Sequence, residues 1–397
     1  MNAPGPEGLR FDLLPMQDDR TAAYGLLRAA GPVARTRRGS YVLTSGEYVE
    51  YALKNPALFS SKQAFDAVGS PLPMVPIAFD PPDHTRYRQL LQPFFSPRST
   101  ARWQPRVRDL VGELIDGFID RGSCDLVADL AVPLPADVFL TLFGLPPEDR
   151  DRLIDWKERL LASPVLTGGG QPSEEIVQAG AELFEYLVGH IGRRRNARGA
   201  ENLLGQLLAD TSESRLTDAE LLGLSFLFVL AGLDTVTSAL STGFAALAAP
   251  PRLRQHIVAD PAVIPAAIEE LLRMDGPVVF LPRVTTREVK LGEHTIPAGV
   301  NVNVAIAVAS RDPAEHPEPD QIDFRRQERH LAFGGGPHRC LGSHLARMEM
   351  REVLAEWHRR IPEYELAPGP RPQVNWPTGL VGLDTLPLVF PAGGASG

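Results

Sequence analysis

Apolar residues recur every three or four positions along most of this chain, which is the spacing of helices that bury one face. The pattern is clear over residues 98–118 and again over residues 176–195, and we predict a helix for each segment. The apolar positions of the first segment are Val107, Leu110, Val111, Leu114, Ile115 and Phe118.

A period of two, typical of strands, is confined to a short part of the chain. Between residues 300 and 308 valine or isoleucine alternates with small or polar residues, which predicts one strand over the whole segment. Gly292 and Glu293, in the middle of residues 289–297, predict a short hairpin before it. The predicted fold class is therefore mainly α with a minor β-sheet region.

The longest predicted helix has an acid in its middle. Thr217 and Glu220 form a capping box, so the helix should begin at Asp218, and nothing ends it before Pro250. It would span 32 residues, or about 48 Å at about 1.5 Å per residue. Because it is apolar on almost all sides, we expect it to run through the core.

Two interpretations of Asp234 are open at this point, because a carboxylate in such a helix is costly unless it is paired or protonated. In the first, Asp234 caps a break between two helices, and Thr235 bonds back to the carbonyl of Ala231. In the second, Gly232 lets a bulky ligand lie against the helix, while Asp234 and Thr235 pass protons into a dry pocket.

A glycine-rich segment, residues 333–342, places Cys340 at or just before the start of another strong helix. Unpaired N–H groups at a helix start stabilise a thiolate, and glycines let the backbone approach a flat or bulky partner. Three roles for Cys340 are open on these grounds. It could be an inert thiol, a zinc ligand with His338 and His344, or the thiolate ligand of a haem iron.

Composition and charge exclude some classes of protein. Hydrophobic residues make up 44% of the chain and charged residues 22%, as in globular proteins with a large core. The net charge of −9 argues against a nucleic-acid binder. Two cysteines, Cys124 and Cys340, cannot form a disulfide framework, which favours a cytoplasmic location.

No membrane anchor or signal peptide is expected. The first twenty residues lack an apolar core of signal-peptide length. The longest uncharged apolar run, residues 221–233, is shorter than the roughly 20 residues that a bilayer requires. We therefore expect a soluble protein.

In combination, these motifs resemble the cytochrome P450 family of haem-thiolate monooxygenases. Residues 333–342 match the family's haem-binding signature, F-x-x-G-x-H/R-x-C-x-G, and residues 231–235 match the oxygen-activation motif of its long central helix. Residues 270–273 match its Glu-x-x-Arg motif, and residues 80–88 resemble its propionate-binding segment. The resemblance spans residues 20–390 and is greatest to soluble bacterial members, including the camphor-hydroxylating type.

The resemblance implies haem b as the cofactor. Cys340 would be the proximal thiolate and the metal ligand, donating electrons that favour cleavage of the O–O bond. Charge-assisted hydrogen bonds to the two haem propionates would come from four residues: His84, Arg88, Arg283 and His338.

The resemblance also implies roles on the oxygen side and behind the cysteine segment. Thr235 would hydrogen-bond the dioxygen, and Asp234 would relay protons to it from water. Glu270, Arg273 and Arg325 would form a buried network that supports the cysteine segment, so their role would be structural.

The same resemblance places nine mostly apolar side chains around the substrate, which implies a hydrophobic substrate of small to medium size. Residues 165–170, with three consecutive glycines, would belong to a mobile loop over the entrance. The nine pocket residues are Met74, Val75, Ile77, Leu227, Leu230, Ala231, Val278, Val279 and Phe280.

Length alone predicts two or three domains for 397 residues. The family motifs, however, extend from His84 to Cys340, so we predict one haem-centred domain over residues 1–397. Residues 1–20 and 391–397 would be loose termini.

The implied reaction is hydroxylation of a hydrophobic small molecule with O2 and two electrons. The electrons would come from NAD(P)H through a ferredoxin reductase and a ferredoxin. Because such ferredoxins are typically acidic and this chain is acidic too, docking requires a local basic patch. The candidates are Arg98, Arg102, Arg106, Arg339, Arg347 and Arg351, the first three on one helix face.

Two alternative functions remain. One is a peroxide-dependent haem-thiolate hydroxylase that needs no ferredoxin, although the Asp234–Thr235 pair argues against it. The other is a non-enzymatic protein that binds zinc or another metal through Cys340.

Overall fold

Helices dominate the computed structural model, which describes residues 8–161, 172–195, 202–212, 215–327, 329–378 and 380–393. The helices of these residues are Arg20–Ala29 (α1), Gly46–Lys54 (α2), Asp83–Leu91 (α3), Pro97–Thr100 (α4), Gln104–Asp116 (α5), Pro133–Phe143 (α6), Arg150–Leu161 (α7), Glu174–Arg195 (α8), Leu203–Ala209 (α9), Asp218–Gly232 (α10), Thr235–Ala248 (α11), Pro251–Ala259 (α12), Ile264–Asp275 (α13), Ile306–Ala309 (α14) and Ser343–Arg360 (α15).

The strands are short and form small sheets, which confirms the predicted fold class. Five strands pair in the order β1-β2-β8-β5-β3, three in the order β4-β10-β9, and β6 pairs with β7 as the predicted hairpin. The strands are Val33–Arg35 (β1), Tyr41–Leu43 (β2), Phe59–Ser60 (β3), Ser123–Asp125 (β4), Leu281–Thr285 (β5), Val289–Leu291 (β6), His294–Ile296 (β7), Asn301–Val304 (β8), Glu365–Leu366 (β9) and Pro387–Val389 (β10).

The helix predicted over residues 98–118 is wrong as a single helix, whereas the one over residues 176–195 is confirmed as α8. Ser96 caps α4 through the amide of Ser99, a 3-10 turn follows, and α5 begins at Gln104 with Pro105 in its first turn. Proline suits a helix start because its missing N–H would have no partner there. Arg98, Arg102 and Arg106 therefore do not share one continuous helix.

The strand predicted over residues 300–308 is also too long. It ends at Val304, and residues 306–309 form the helical turn α14. Residues 302–310 are all buried, so the apolar pattern continues past the end of the strand and does not show where the helical turn begins.

The long central helix breaks in the middle, contrary to the prediction of 32 continuous residues. It begins at Asp218 with both bonds of the predicted capping box, but α10 ends at Gly232 and α11 begins at Thr235. Thr235 Oγ1 donates to the carbonyl of Ala231 at 3.3 Å, which satisfies one of the carbonyls freed by the break. By length and composition residues 218–248 could cross a membrane, yet 67% of their most apolar window is buried inside the protein.

The N-terminal segment is not loose over its described part, which corrects the prediction for residues 1–20. Leu9 pairs with Thr36 in an isolated bridge, and Phe11 stacks on Phe280 with ring centroids 4.8 Å apart. Leu14 and Met16 are buried as well. Burial of these side chains fixes the segment on the core.

The core consists of three apolar clusters around the segments that carry the predicted site. One joins α5, α11, α13 and α15, a second joins α6, α7, α8 and α10, and a third lies between α2 and the five-stranded sheet. Leu345 of α15 packs against both of the larger clusters. The start of α15, immediately after Cys340, is therefore held by both helix groups.

Candidate functional site

The glycines of the cysteine segment are required by the fold of the segment itself. Gly334 and Gly336 have φ values of 65° and 61°, which favour glycine. A Cβ at Gly336 would overlap the carbonyl of Leu53, at the end of α2, and one at Gly335 would lie 3.3 Å from the Leu53 side chain. The segment packs closely on α2, which accounts for Gly335 and Gly336 without reference to a ligand.

Cys340 lies two residues before the N-cap of α15, and its N–H donates to the carbonyl of Phe333 at 2.8 Å. One side of the residue is exposed. The protein packed around its sulfur raises the pKa of the thiol, while the Gly342 backbone N–H and the cations Arg88 and Arg339 lower it. Cys124, by contrast, is buried in β4, and burial raises its pKa to about 12.

Four basic side chains gather beside Cys340, as the resemblance implied. The rings of His84 and His338 lie 4.1 Å apart, and Ser61 Oγ is 3.2 Å from His338 Nε2. Burial lowers the pKa of His84 to about 4 and that of His338 to about 2. Arg283 is only 2% exposed, and burial lowers its pKa to about 10.

Among the described residues, the cations of this cluster form no ion pair. Arg283 donates to the carbonyl of Pro282 at 2.7 Å, but no carboxylate of the described residues lies within ion-pair distance of Arg283 or Arg88. The nearby Asp80 accepts from Ser60 and from the amide of Ser61, and it attracts Arg283 only at longer range. A buried guanidinium such as that of Arg283 requires an anionic partner at close range. The two carboxylates of a haem beside a single thiol satisfy that requirement.

The same residues do not form a zinc site. Within the part of the chain that the structure describes, no group of three His, Cys, Asp or Glu side chains is arranged to hold a metal ion. His338 faces His84 and Ser61 instead. Because structural zinc requires four ligands, the proposed set of His338, Cys340 and His344 is wrong.

Neither of the two interpretations that the sequence left open fits Asp234 in full. It is the residue before α11, but its side chain makes no capping bond. Its Oδ1 accepts instead from the ammonium of Lys157, which is buried on α7, at 3.1 Å. Gly232 does not leave room for a ligand, because an added Cβ would overlap the ring of Phe139.

The predicted buried network exists with one different member. Glu270 is 3% exposed and accepts two bonds from Arg273, at 2.7 and 2.9 Å. Its second cation, and the third member of the network, is Arg326, whose Nε lies 3.2 Å away. Arg325 is exposed and pairs with Asp323, so the prediction of Arg325 as the third member is wrong. The chain turns between these adjacent arginines, and only Arg326 points inwards.

The nine predicted pocket residues divide by exposure. Ala231 is exposed, and Ile77, Leu227 and Val278 are partly exposed. The side chain of Phe280 packs between Phe11 and Trp376, which corrects its placement in the pocket. Five of the nine are buried in the apolar clusters: Met74, Val75, Leu230, Val279 and Phe280. The predicted entrance loop, residues 165–170, lies outside the described residues.

One of the six arginines of the predicted basic patch, Arg347, is paired with a carboxylate. Arg347 donates two bonds to Glu269, both at 2.6 Å, and its guanidinium lies 4.2 Å from the centre of the Phe333 ring. The other five arginines are exposed, and none forms an ion pair with a described residue; Arg106 has only a 3.4 Å contact with Thr141. These five are Arg98, Arg102, Arg106, Arg339 and Arg351.

Sequence reasoning missed three residues of the site. Lys157 shares the buried face of α7 with Leu153 and Leu160, and a lysine at an apolar position was the available signal. Leu380 pairs with Val278 in an isolated bridge, next to the predicted pocket. For Arg326 there was no signal, because the sequence does not show which of the adjacent arginines 325 and 326 is buried.

Comparisons with known proteins point to one family. The sequence model of the family described as Cytochrome P450 matches residues 155–360. Vitamin D(3) 25-hydroxylase of Pseudonocardia autotrophica is 34% identical to this chain over 383 residues, which cover 93% of both. Pentalenic acid synthase of Streptomyces avermitilis is 32% identical over 390 residues, which cover 94% of both.

Solved structures are similar over the same length. CxnD, a cytochrome P450 enzyme for C–S bond formation in chuangxinmycin biosynthesis, superimposes with a TM-score of 0.86. The two sequences are 29% identical, and the match covers 94% of this chain and 95% of CxnD.

Proposed function

Because the chain belongs to the cytochrome P450 family, we propose that it inserts one oxygen atom of O2 into a hydrophobic small molecule, with electrons from a ferredoxin-type partner. The family consists of haem-dependent monooxygenases. The proposal assigns Cys340 as the thiolate ligand and includes a cytoplasmic location.

The observation that carries the residue assignment is a cluster of basic side chains, without a described carboxylate at ion-pair distance, beside a single thiol. Arg88 and Arg283 lack carboxylate partners among the described residues, and His84 and His338 stand against each other. All four would hold the haem propionates, while the bond from the Cys340 amide to Phe333 would hold the thiolate. Bound haem supplies the oxygen-activating chemistry.

Asp234 and Thr235 would handle protons on the oxygen side. Thr235 Oγ1 donates a long hydrogen bond of 3.3 Å to the carbonyl of Ala231. Because this bond is weak, the hydroxyl can exchange it for a bond to a ligand at low cost. The carboxylate of Asp234 is 20% exposed, which gives it access to water, while the ammonium of Lys157 holds it in place.

A hydrophobic substrate is supported by the residues that remain accessible. Ala231, Leu227, Ile77 and Val278 are apolar and at least partly exposed, as expected of a pocket lining. The named relatives act in different ways, one as a hydroxylase and one in C–S bond formation, so the reaction on the substrate is part of the proposal.

The absorption spectrum of the purified, haem-loaded protein tests this function. We expect the reduced protein with carbon monoxide to show the band of thiolate-ligated haem, and Cys340→Ser to lose it while Cys124→Ser keeps it. A protein that stays colourless with ample haem would refute the proposal. Turnover with hydrogen peroxide that exceeds turnover with ferredoxin would favour the peroxide-dependent alternative.

We further propose that the ferredoxin docks on the unpaired arginines Arg98, Arg102, Arg339 and Arg351. Their charges are free, whereas the chain as a whole carries −9. A local positive patch would attract an acidic partner at close range despite overall repulsion.

Charge reversal tests the docking surface. With a plant-type [2Fe–2S] ferredoxin and its reductase, we expect Arg102→Glu to slow electron transfer about tenfold at low salt, since such charges mainly change association rates. Arg252→Glu, at an exposed and unpaired position of α12, is the control. Equal rates and equal salt dependence for Arg102→Glu and wild type would exclude this surface.

A further inference from the structure

Arg347 sits between two groups that hold it in one orientation. Its Nε and Nη2 donate to the two carboxylate oxygens of Glu269, on α13, and its planar guanidinium lies over the ring of Phe333. A paired, planar contact of this kind fits arginine and cannot be reproduced by lysine. The side chain is 26% exposed, well below the level of a free surface arginine.

A histidine completes the arrangement. The amide of Ala332 donates to His330 Nδ1 at 3.1 Å, which leaves His330 Nε2 as the donor to Glu269 at 3.1 Å. The His330 side chain is only 5% exposed. Glu269 therefore ties α15 and residues 330–332 to α13. We call Glu269, His330, Phe333 and Arg347 the Arg347 cluster.

The cluster reaches the cysteine through Phe333. The ring of Phe333 is covered by Arg347, and its carbonyl accepts the 2.8 Å bond from the Cys340 amide. The same residue thus receives Arg347 on its side chain and holds Cys340 through its backbone. A displacement of the ring would shift the carbonyl that accepts the hydrogen bond from the Cys340 amide.

We propose that the Arg347 cluster positions Cys340 and that Arg347 takes no direct part in docking the electron donor. This inference rests on the proposed role of Cys340 as the thiolate ligand. Arg347 is accordingly a positioning residue that acts through Phe333, and its charge is neutralised by Glu269.

Two substitutions separate positioning from docking. Arg347→Lys keeps the positive charge but loses the paired bonds and the stacking. Glu269→Gln removes a negative charge, so it would speed the reaction with an acidic ferredoxin if Arg347 were a docking residue. Arg359→Lys, which alters an exposed ion pair with Glu356 further along α15, is the matched control.

The readout is the lifetime of the thiolate-type absorption band in the reduced carbon monoxide complex of the holoprotein. We expect Arg347→Lys and Glu269→Gln each to lose this band about tenfold faster than wild type. A factor of about ten corresponds to the loss of one charge-assisted hydrogen bond. Arg359→Lys should match wild type. Both cluster variants should also shift the midpoint potential of the haem, since the ligand is less firmly held.

Two results would overturn the inference while leaving the proposed function intact. One is a wild-type band lifetime and potential in both cluster variants. The other is a faster ferredoxin reaction in Glu269→Gln with an unchanged band. The absence of a thiolate band in wild type, or its survival in Cys340→Ser, would instead refute the proposed function itself.

Discussion

Lys157 determines where the carboxylate of Asp234 points. The ammonium is buried on α7 and lies 3.1 Å from Asp234 Oδ1, while Glu158, its other partner, is mostly exposed. A carboxylate at a helix start usually bonds the backbone of its own helix, and this one does not. The acid is thereby tied to a different helix from the one that carries Thr235.

We expect Lys157→Met to slow product formation about tenfold, less than the hundredfold or more that follows loss of a general acid or base. Lys157→Arg should retain most of the rate, because it can still pair with Asp234. Thr235→Ala should behave differently, consuming electrons and releasing hydrogen peroxide without product. The ratio of product to NAD(P)H consumed checks both, and equal ratios in Thr235→Ala and wild type would contradict the role of Thr235.

Arg326 and Arg325 form a matched pair for testing the buried network. Arg326→Gln removes a bond to a nearly inaccessible carboxylate, so we expect a loss of about 1–3 kcal/mol in the free energy of unfolding. Arg325→Gln removes an exposed pair with Asp323, which solvent screens, and should leave stability close to that of wild type. Denaturant unfolding of the holoproteins measures both, and equal losses would contradict the assignment.

For single residues, the sequence predicts the role correctly where that role belongs to a short motif. The glycine-rich segment around Cys340 and the clustering of His84 with His338 follow from local spacing and from family resemblance. Arg325 and Arg326 are adjacent and identical, so only the turn of the chain decides which enters the core. Lys157 meets Asp234 through the packing of two distant helices, which no local pattern records.

Gly232 sets the boundary between α10 and α11. A Cβ at this position would overlap the ring of Phe139, which itself stacks on Phe143 at 5.6 Å. Because the ring is packed on its other side, it cannot give way freely. The glycine is thus required by helix packing, next to the break that exposes Ala231 and holds Asp234.

We expect Gly232→Ala to lower the free energy of unfolding by about 1–3 kcal/mol, since overpacking outweighs the gain in helix propensity. The control is Gly192→Ala on α8, where an added Cβ meets nothing within 4 Å. That variant should raise stability by about 0.5–1 kcal/mol, the ordinary difference between glycine and alanine in a helix. A stabilised Gly232→Ala protein would show that Phe139 does not constrain this position.

Elements were predictable where caps and periodicity agree. The capping box at Thr217 and the hairpin at Gly292 were found because each has a local signal. The break at Leu233 belongs to one of the two interpretations of Asp234 that the sequence left open, and the structure shows it. The early end of β8 at Val304 was missed, because the residues on both sides of it are buried.

Across the whole molecule, carboxyl groups respond to pH in opposite directions. Arg86 lowers the pKa of Glu220 to about 2, and Arg347 and His330 outweigh desolvation to lower that of Glu269 to about 2. Their stabilisation is present above the ordinary value of 4.5 and is lost as the pH falls towards 2. Both side chains are partly exposed, so solvent screening reduces the effect.

The pKa of Glu349 is shifted in the opposite direction, upwards. The residue is 3% exposed, its Oε2 has no hydrogen-bond partner among the described residues, and burial raises its pKa to about 8. The folded protein therefore keeps it protonated at neutral pH, whereas the unfolded chain ionises above 4.5. Its contribution to stability is greatest below pH 4.5 and is lost as the pH rises to about 8, a change on the order of a few kcal/mol.

We therefore expect Glu349→Gln to change the melting temperature of the holoprotein in a pH-dependent way. Glutamine cannot ionise, so the difference between variant and wild type should become more favourable by several degrees from pH 5 to pH 8. Glu352→Gln is the control, since Glu352 is buried in the same helix but paired with Gln104 and Arg108. It should lower the melting temperature without that rise. If the Glu349→Gln difference stayed constant over this range, Glu349 would not be a protonated acid in the folded protein.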